Sequence, residues 1–228
     1  MVDGRLVVVS GTGTGIGKTH FCEAILCAMA GTRRVVIGLK PVETGVAELD
    51  LSDADRLARA SSFHVKHSAY KFGAPLSPHL AAREAGGEPI RAEVIVSMVE
   101  EVRRKADVTL VELAGGLFTP LSTSLVNADV LSSLQPDTSL LVAPDRLGVL
   151  HEVLSTSQAA LAVSAAIHGI VLVTPALPDA STGRNQTELQ AFFPSLRIIT
   201  LPRGAVHELA NAPSVVRLAA WIAGEGPA

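Results

Sequence analysis

The hydrophobic positions of this chain fall into short, nearly unbroken runs separated by longer stretches with helical spacing. Runs at 6–10, 35–39, 108–112, 139–143, 169–173 and 197–201 are rich in Val, Ile and Leu and show little in/out alternation. A strand that is apolar at every position is one covered on both faces. Between the runs, residues 18–30, 53–61, 92–105, 148–167 and 213–223 carry a helical pattern. This alternation predicts an α/β fold, a mainly parallel β-sheet with helices on both faces. Loops are expected at 43–52, 72–78, 86–89 and 175–182. No repeat or long linker divides the sequence, so residues 1–228 are read as a single domain. In open sheets of this kind ligands gather beyond the carboxyl ends of the strands. Chemistry is therefore expected in the residues that directly follow each run.

Composition narrows the picture further. Of 228 residues, 48% are hydrophobic and only 4% aromatic, which implies an aliphatic core. A net charge of −3 with interspersed signs offers nothing to nucleic acid or to an anionic membrane. The first apolar run is too short for a leader or a membrane span, so a cytoplasmic protein is expected. Cys22 and Cys27 fall on different faces of one expected helix. They are read as free thiols, in keeping with a reducing compartment.

Residues 11–19, GTGTGIGKT, lie between the first strand and the first helix. Glycines at 11, 13, 15 and 17 let backbone N–H groups converge on phosphate at a helix N-terminus. Lys18 is placed to reach the terminal phosphates and the Thr19 hydroxyl to ligate Mg²⁺. The spacing is one residue longer than GxxxxGK[ST], with Thr12 where that pattern has its first glycine. A nucleoside triphosphate with Mg²⁺ is the expected ligand.

Other strand ends add candidates. Lys40-Pro41 follows the second run, and Pro41 ends that strand, leaving Lys40 at the carboxyl edge. Glu112 closes the third run ahead of Ala114-Gly115-Gly116, where an acidic residue supports Mg²⁺. Asp53 follows Ser52 at a helix start, a position that equally suits a residue favouring the helix dipole. His64 and His67 lack a second ligand cluster and are read as structural rather than metal-binding.

Together, GTGTGIGKT, Lys40-Pro41-Val42-Glu43-Thr44-Gly45, Ser52-Asp53-Ala54 and Val111-Glu112-Leu113-Ala114-Gly115-Gly116 resemble the dethiobiotin synthetase family. The resemblance extends over nearly the whole chain, including Arg146-Leu147-Gly148. It implies a P-loop NTPase fold and a ligase that joins 7,8-diaminopelargonate, CO₂ and ATP into dethiobiotin in biotin biosynthesis. It further implies Lys40, Lys18 and Thr14 as catalytic groups. Gly15, Ile16, Gly17, Lys18, Thr19, His20, Asp53, Glu112, Gly115 and Pro202 would hold the nucleotide, and Glu208 its ribose. Thr14, Lys40 and Thr44 would meet the substrate, and Thr19, Asp53 and Glu112 would hold Mg²⁺. The substrate's carboxylate tail would sit on Gly148, Val149, Leu150 and His151 of a second subunit, so a homodimer with active sites at its interface is expected.

Certain positions depart from the family pattern. Gly13 and Gly15 stand where many relatives carry acidic residues, and Leu113 replaces a glycine. Val173-Thr174-Pro175 stands where many relatives have an Asn-Asp pair that reads adenine, which leaves ATP or another NTP as co-substrate. A related P-loop amidoligase is an alternative, but such enzymes usually carry an attached glutamine-using domain. A non-enzymatic nucleotide switch is another, although those proteins place a second lysine in the loop and here Lys18 is the only one.

Overall fold

A computed structural model of the protein describes residues 4–46 and 51–225. In chain order the elements are β1 (Arg5–Gly11), α1 (Lys18–Ala30), β2 (Val36–Leu39), β3 (Val42–Thr44), α2 (Asp53–Arg59), β4 (Tyr70–Phe72), α3 (Pro78–Glu84), α4 (Ala92–Arg103), β5 (Val108–Glu112), α5 (Asn127–Leu134), β6 (Thr138–Pro144), α6 (Val149–Ala162), β7 (Gly169–Val173), α7 (Asn185–Phe192), β8 (Arg197–Leu201), α8 (Val206–Ala210) and α9 (Pro213–Ile222). Six strands form one parallel sheet in the order β2-β5-β1-β6-β7-β8. β3 and β4 pair separately as a small parallel ribbon.

Both faces of the sheet are covered, and β1 shows why its apolar run is continuous. Leu6 and Val8 face a core layer with Ile95, Val99 and Val102 of α4 and Val130, Leu131 and Leu134 of α5. Val7 and Val9 face the opposite layer with Phe21, Ile25 and Leu26 of α1 and Val215 and Leu218 of α9. A third cluster joins Leu141, Ile170 and Ile198 to Val149 and Val153 of α6 and Leu189 of α7. Alternate residues thus enter different layers, and the few polar residues within the strands, such as Ser10 and Thr109, are buried with them.

All six predicted sheet strands form, within a residue or two of their expected bounds. The helix expected over 148–167 stops at Ala162, because Ser164 takes a left-handed φ of 57° and Ala165 N turns back onto Ala160 O. Glu43 and Thr44, expected in a loop, belong to β3, and the rest of that loop at 47–50 lies outside the described residues. α3, α5, α7 and α8 have five to eight residues each, too short for a helical period to stand out. No helix among the described residues is long and apolar enough to cross a membrane.

Candidate active site

Strand order and register assemble the site before any side chain is considered. Leu39 of β2 lies opposite Val111 of β5, and Glu112 lies opposite Val9 of β1. Lys40, Glu112 and the loop after Gly11 therefore emerge side by side at the carboxyl edge, where β1 has β5 on one side and β6 on the other. This is where the chain direction of the crossovers changes and a crevice opens.

The loop itself is shaped by glycine where no other residue fits. Gly17 caps α1 with φ 94°, and a Cβ there would lie 3.0 Å from Val173 Cγ1. Gly15 also takes a left-handed φ of 70°. Lys18 Nζ donates to Gly13 O at 2.8 Å, closing the loop on itself. His20 Nε2 donates to Gly204 O at 2.9 Å and ties α1 to the segment after β8.

Behind the loop lies a compact cluster of charge. Thr19 Oγ1 donates to Glu112 Oε1 at 2.9 Å. Lys40 Nζ donates to the same oxygen at 2.9 Å and also to Asp53 Oδ2. Burial and charge act on these groups in opposite directions. Burial would lower the Lys40 ammonium, but Glu112 and Asp53 outweigh it and hold the group above the ordinary lysine value. Burial raises the Glu112 carboxyl above the usual carboxylate range, against the pull of Lys40. For Asp53, burial also pushes upward, but Lys40 wins and keeps the carboxyl below its ordinary value. Lys18 is lowered, chiefly by burial.

A divalent cation fits this donor set. The Thr19 hydroxyl, Asp53 and Glu112 offer hard oxygen donors, and Glu112 Oε2 is buried without a hydrogen-bond partner. Among the described residues no three His, Cys, Asp or Glu side chains gather as a metal cluster, so phosphate oxygens would have to complete the shell. His64 and His67 pack as tilted rings 5.3 Å apart. His67 accepts from Val65 N and donates to Gly38 O, so both of its nitrogens serve the fold.

Thr14 lines the two largest of the cavities at this edge. One of about 680 Å³ is lined by Thr14, Lys40, Thr44, Asp53, Gly115 and Thr119 among others. The second, of about 650 Å³, runs from Thr14, Gly15, Ile16, Gly17 and His20 to Thr174, Pro175, Pro202 and Arg203. The loop thus separates a pocket beside the charge cluster from one that leads along α1 to the strand ends of β7 and β8.

These features match known proteins. The sequence fits the AAA domain family over residues 5–210. It is 38% identical to the ATP-dependent dethiobiotin synthetase BioD of Nitrosospira multiformis, across 74% of this chain and 75% of that one. It is 32% identical to the BioD of Saccharopolyspora erythraea, across 93% of both. The chain belongs to the dethiobiotin synthetase family. In fold, this family member is similar to the MinD cell division protein of Aquifex aeolicus, with a TM-score of 0.56 at 13% identity over 99% of each chain. It also resembles a ParA family ATPase from Chlorobium tepidum, with a TM-score of 0.55 at 14% identity over 94% and 92% of the chains. These likenesses are to P-loop NTPases and concern the fold alone.

Of the sequence-predicted residues, Thr14, Lys18, Thr19, Lys40, Thr44, Asp53, Glu112 and Gly115 lie together at the loop and the larger of these two cavities. Pro202 joins the other cavity. Gly148, Val149, Leu150 and His151 line neither. The Val149 side chain is fully buried in the core and its N–H bonds Arg146 O, so of these four the helix offers Leu150 and His151 amides rather than Val149. Glu208 accepts from Ala205 N and caps α8. Leu113 packs into the core with 3% exposure, away from the cavities, so the glycine it replaces is not needed for space. Glu43 was not foreseen as a site residue. It is buried, and its Oε1 accepts from Ala54 N at 2.7 Å, fixing the start of α2 beside Asp53. Its position inside Lys40–Gly45 was the available signal.

Proposed function

We infer that this chain is an ATP-dependent dethiobiotin synthetase, a ligase of biotin biosynthesis that acts on small-molecule substrates with ATP. Family membership supports the activity. The residue-level reading rests on one observation, the position of Lys40 between Asp53 and Glu112 at the wall shared by loop and cavity. The whole chain is read as one domain.

In this account 7,8-diaminopelargonate occupies the cavity of Lys40 and Thr44, and the nucleotide lies along the loop and α1. One substrate amine attacks CO₂ and loses a proton, giving a carbamate. A carbamate oxygen attacks the γ-phosphorus and ADP leaves. The second amine then attacks the carbonyl carbon, closing the cyclic urea and expelling phosphate. The protein's share is positioning and charge stabilisation. Thr14 lines both cavities, at the point of phosphoryl transfer. Lys40 and Lys18 bring two cations to an encounter between an anionic carbamate and an anionic triphosphate, which would otherwise repel each other. Thr19, Asp53 and Glu112 would hold Mg²⁺, which supplies further neutralisation of phosphate charge when bound.

A homodimer completes the site in this reading. The substrate's carboxylate needs an anion site, and the N-terminal amides of α6 lie outside the cavity of their own protomer. Leu150 and His151 of a second copy supply them. Two free cysteines, Cys22 and Cys27, accord with a reducing cytoplasm.

The test is a product assay. The chain is incubated with 7,8-diaminopelargonate, bicarbonate, Mg²⁺ and ATP, CTP or GTP, and dethiobiotin is sought by mass spectrometry. Formation of dethiobiotin with release of nucleoside diphosphate is the expected result. Tight nucleotide binding with no product from any triphosphate would overturn the reading.

A further inference from the structure

Arg146, just past β6, has no part in the account above. β6 pairs with β1 so that Gly11 lies opposite Val142, and the segments that follow the two strands rise side by side. Arg146 lines the 650 Å³ cavity together with Thr14, Gly15 and Gly17 of the loop. Its guanidinium is held in place. Nη1 donates to Leu147 O at 3.0 Å and Nη2 to Glu152 Oε1 at 2.8 Å. The other oxygen of Glu152 accepts from Thr12 Oγ1 at 3.0 Å, so one carboxylate links the guanidinium to the phosphate-binding loop.

The backbone beneath is fixed as well. Buried Asp145 accepts from Gly183 N at 2.8 Å and from Asn185 Nδ2 at 2.7 Å. Asp179 accepts from Leu147 N at 2.8 Å. Meanwhile Lys40 is engaged by two carboxylates, which leaves Lys18 as the loop's own cation against a polyanionic ligand.

We propose that Arg146 binds the phosphate chain of the nucleotide, with Glu152 as its positioning residue. The proposal rests on the nucleotide reading of the loop and not on ring closure. Leu147 and Glu152 occupy only part of the guanidinium's donor set, and the rest suits a bidentate bond to phosphate oxygens. The neighbouring Arg203 lines the same cavity from the segment after β8 and serves as the comparison.

The experiment titrates the full chain and its variants with Mg-ATP and with inorganic tripolyphosphate by calorimetry. Arg146→Ala is expected to weaken both ligands by the same factor, about tenfold, as fits the loss of a charge-assisted hydrogen bond. Arg146→Lys recovers part of the loss, because charge returns without the planar fork. In a Glu152→Ala background the effect of Arg146→Ala shrinks to less than about threefold, since the two act as a unit. The side chain is 46% exposed, so its removal leaves folding intact. Unchanged tripolyphosphate affinity in Arg146→Ala overturns the proposal, and so does a loss confined to ATP, which would place the arginine at the base or ribose. Losses equal to those of Arg203→Ala for tripolyphosphate also count against it, because they would signal general charge alone. A wild-type chain that binds ATP but forms no dethiobiotin defeats the synthetase reading and leaves this assignment standing.

Discussion

Replacing Lys40 by alanine separates its electrostatic role in the fold from its role in turnover. The ammonium contacts Asp53 and Glu112, and the two carboxylates differ sharply in environment. Glu112 has 1% of its side chain exposed and Asp53 37%. Breaking a buried ion pair from one side costs roughly 3–5 kcal/mol, whereas an exposed pair contributes about 0–1 kcal/mol. Nearly all the cost therefore falls on Glu112, and a loss of about 3 kcal/mol at pH 8 is expected. Most domains retain a fold after such a loss, with ~5–15 kcal/mol available. The sign with pH follows from Glu112. Its carboxyl is already held above the usual range by burial, and removing Lys40 takes away the chief opposing charge, leaving the weaker pull of Lys18. A carboxyl raised in the folded state takes up a proton there first, so its penalty shrinks as pH falls. Urea denaturation at pH 8 and pH 5.5 should show the deficit of Lys40→Ala narrowing on acidification. Adding Glu112→Gln should recover most of it at pH 8, since the amide removes the stranded charge. Turnover should fall at least about a hundredfold in Lys40→Ala while nucleotide affinity is largely retained. A variant as stable as wild type at pH 8, or a deficit that widens in acid, would refute the electrostatic account. Equal losses of turnover and nucleotide affinity would make Lys40 a phosphate ligand first.

Three further outcomes are expected. The cavity leading to Thr174, Pro175 and Pro202 has no carboxamide side chain in its lining, so initial-rate comparisons should find ATP, CTP and GTP within about a hundredfold of one another. A preference of 10⁴ or more would mean that backbone groups read the base. Gly115 takes φ +69°, and a Cβ there would lie 2.5 Å from Thr119 Oγ1, which accepts from Gly116 N. Gly115→Ala should therefore cost about 2 kcal/mol or more in denaturation and raise the KM for diaminopelargonate. Finally, burial lowers both His67 and His168 below the usual histidine value of 6.5. The unfolded chain thus binds protons near pH 6.5 that the folded chain resists, so stability rises with pH through that value and is lost below it. Denaturation midpoints of wild type and His168→Gln, compared between pH 5.5 and pH 7.5, should differ in slope, and parallel profiles would exclude His168 as a source.

Much of this was legible because chemistry sits at strand ends. The six sheet strands are buried on both faces, and burial leaves a nearly unbroken run of Val, Leu and Ile that stands out in the sequence. The residue that breaks each run then identifies itself, as Lys40 does after β2 and Glu112 at the end of β5. Local pattern was weaker for α5 and α7, whose eight residues each give few turns to compare. The three-residue strands β3 and β4 are fixed by pairing with each other, a long-range contact that neither segment announces. The same limit applies to Glu43. Its place in the Lys40–Gly45 motif marks it, but that its carboxylate holds the first turn of α2 eleven residues on is a contact the motif does not announce.

What sequence cannot supply is the pairing of charges across the crevice. Lys18 and Lys40 both read as cations at the carboxyl edge in one dimension, but the fold gives them different partners. Lys18 bonds Gly13 O within the loop, whereas Lys40 is shared by Asp53 and Glu112. That difference divides the labour. A cation held by two carboxylates is fixed in position and partly neutralised, which suits orienting a carbamate better than gripping a triphosphate. The same carboxylates face Thr19, so a divalent ion and Lys40 would compete for Glu112 Oε1 while Oε2 lies free. A cation held by Thr19, Asp53 and Glu112 would neutralise these carboxylates, and Lys40 would then be freer to meet a carbamate in the Thr44 cavity. Asp53→Asn tests the coupling, because it takes the negative charge from a metal donor and from a Lys40 anchor together. If this coupling holds, the variant needs a higher Mg²⁺ concentration for half-maximal turnover and its KM for diaminopelargonate also rises. A change in Mg²⁺ requirement with an unaltered KM would show that Lys40 reaches the substrate without help from the metal.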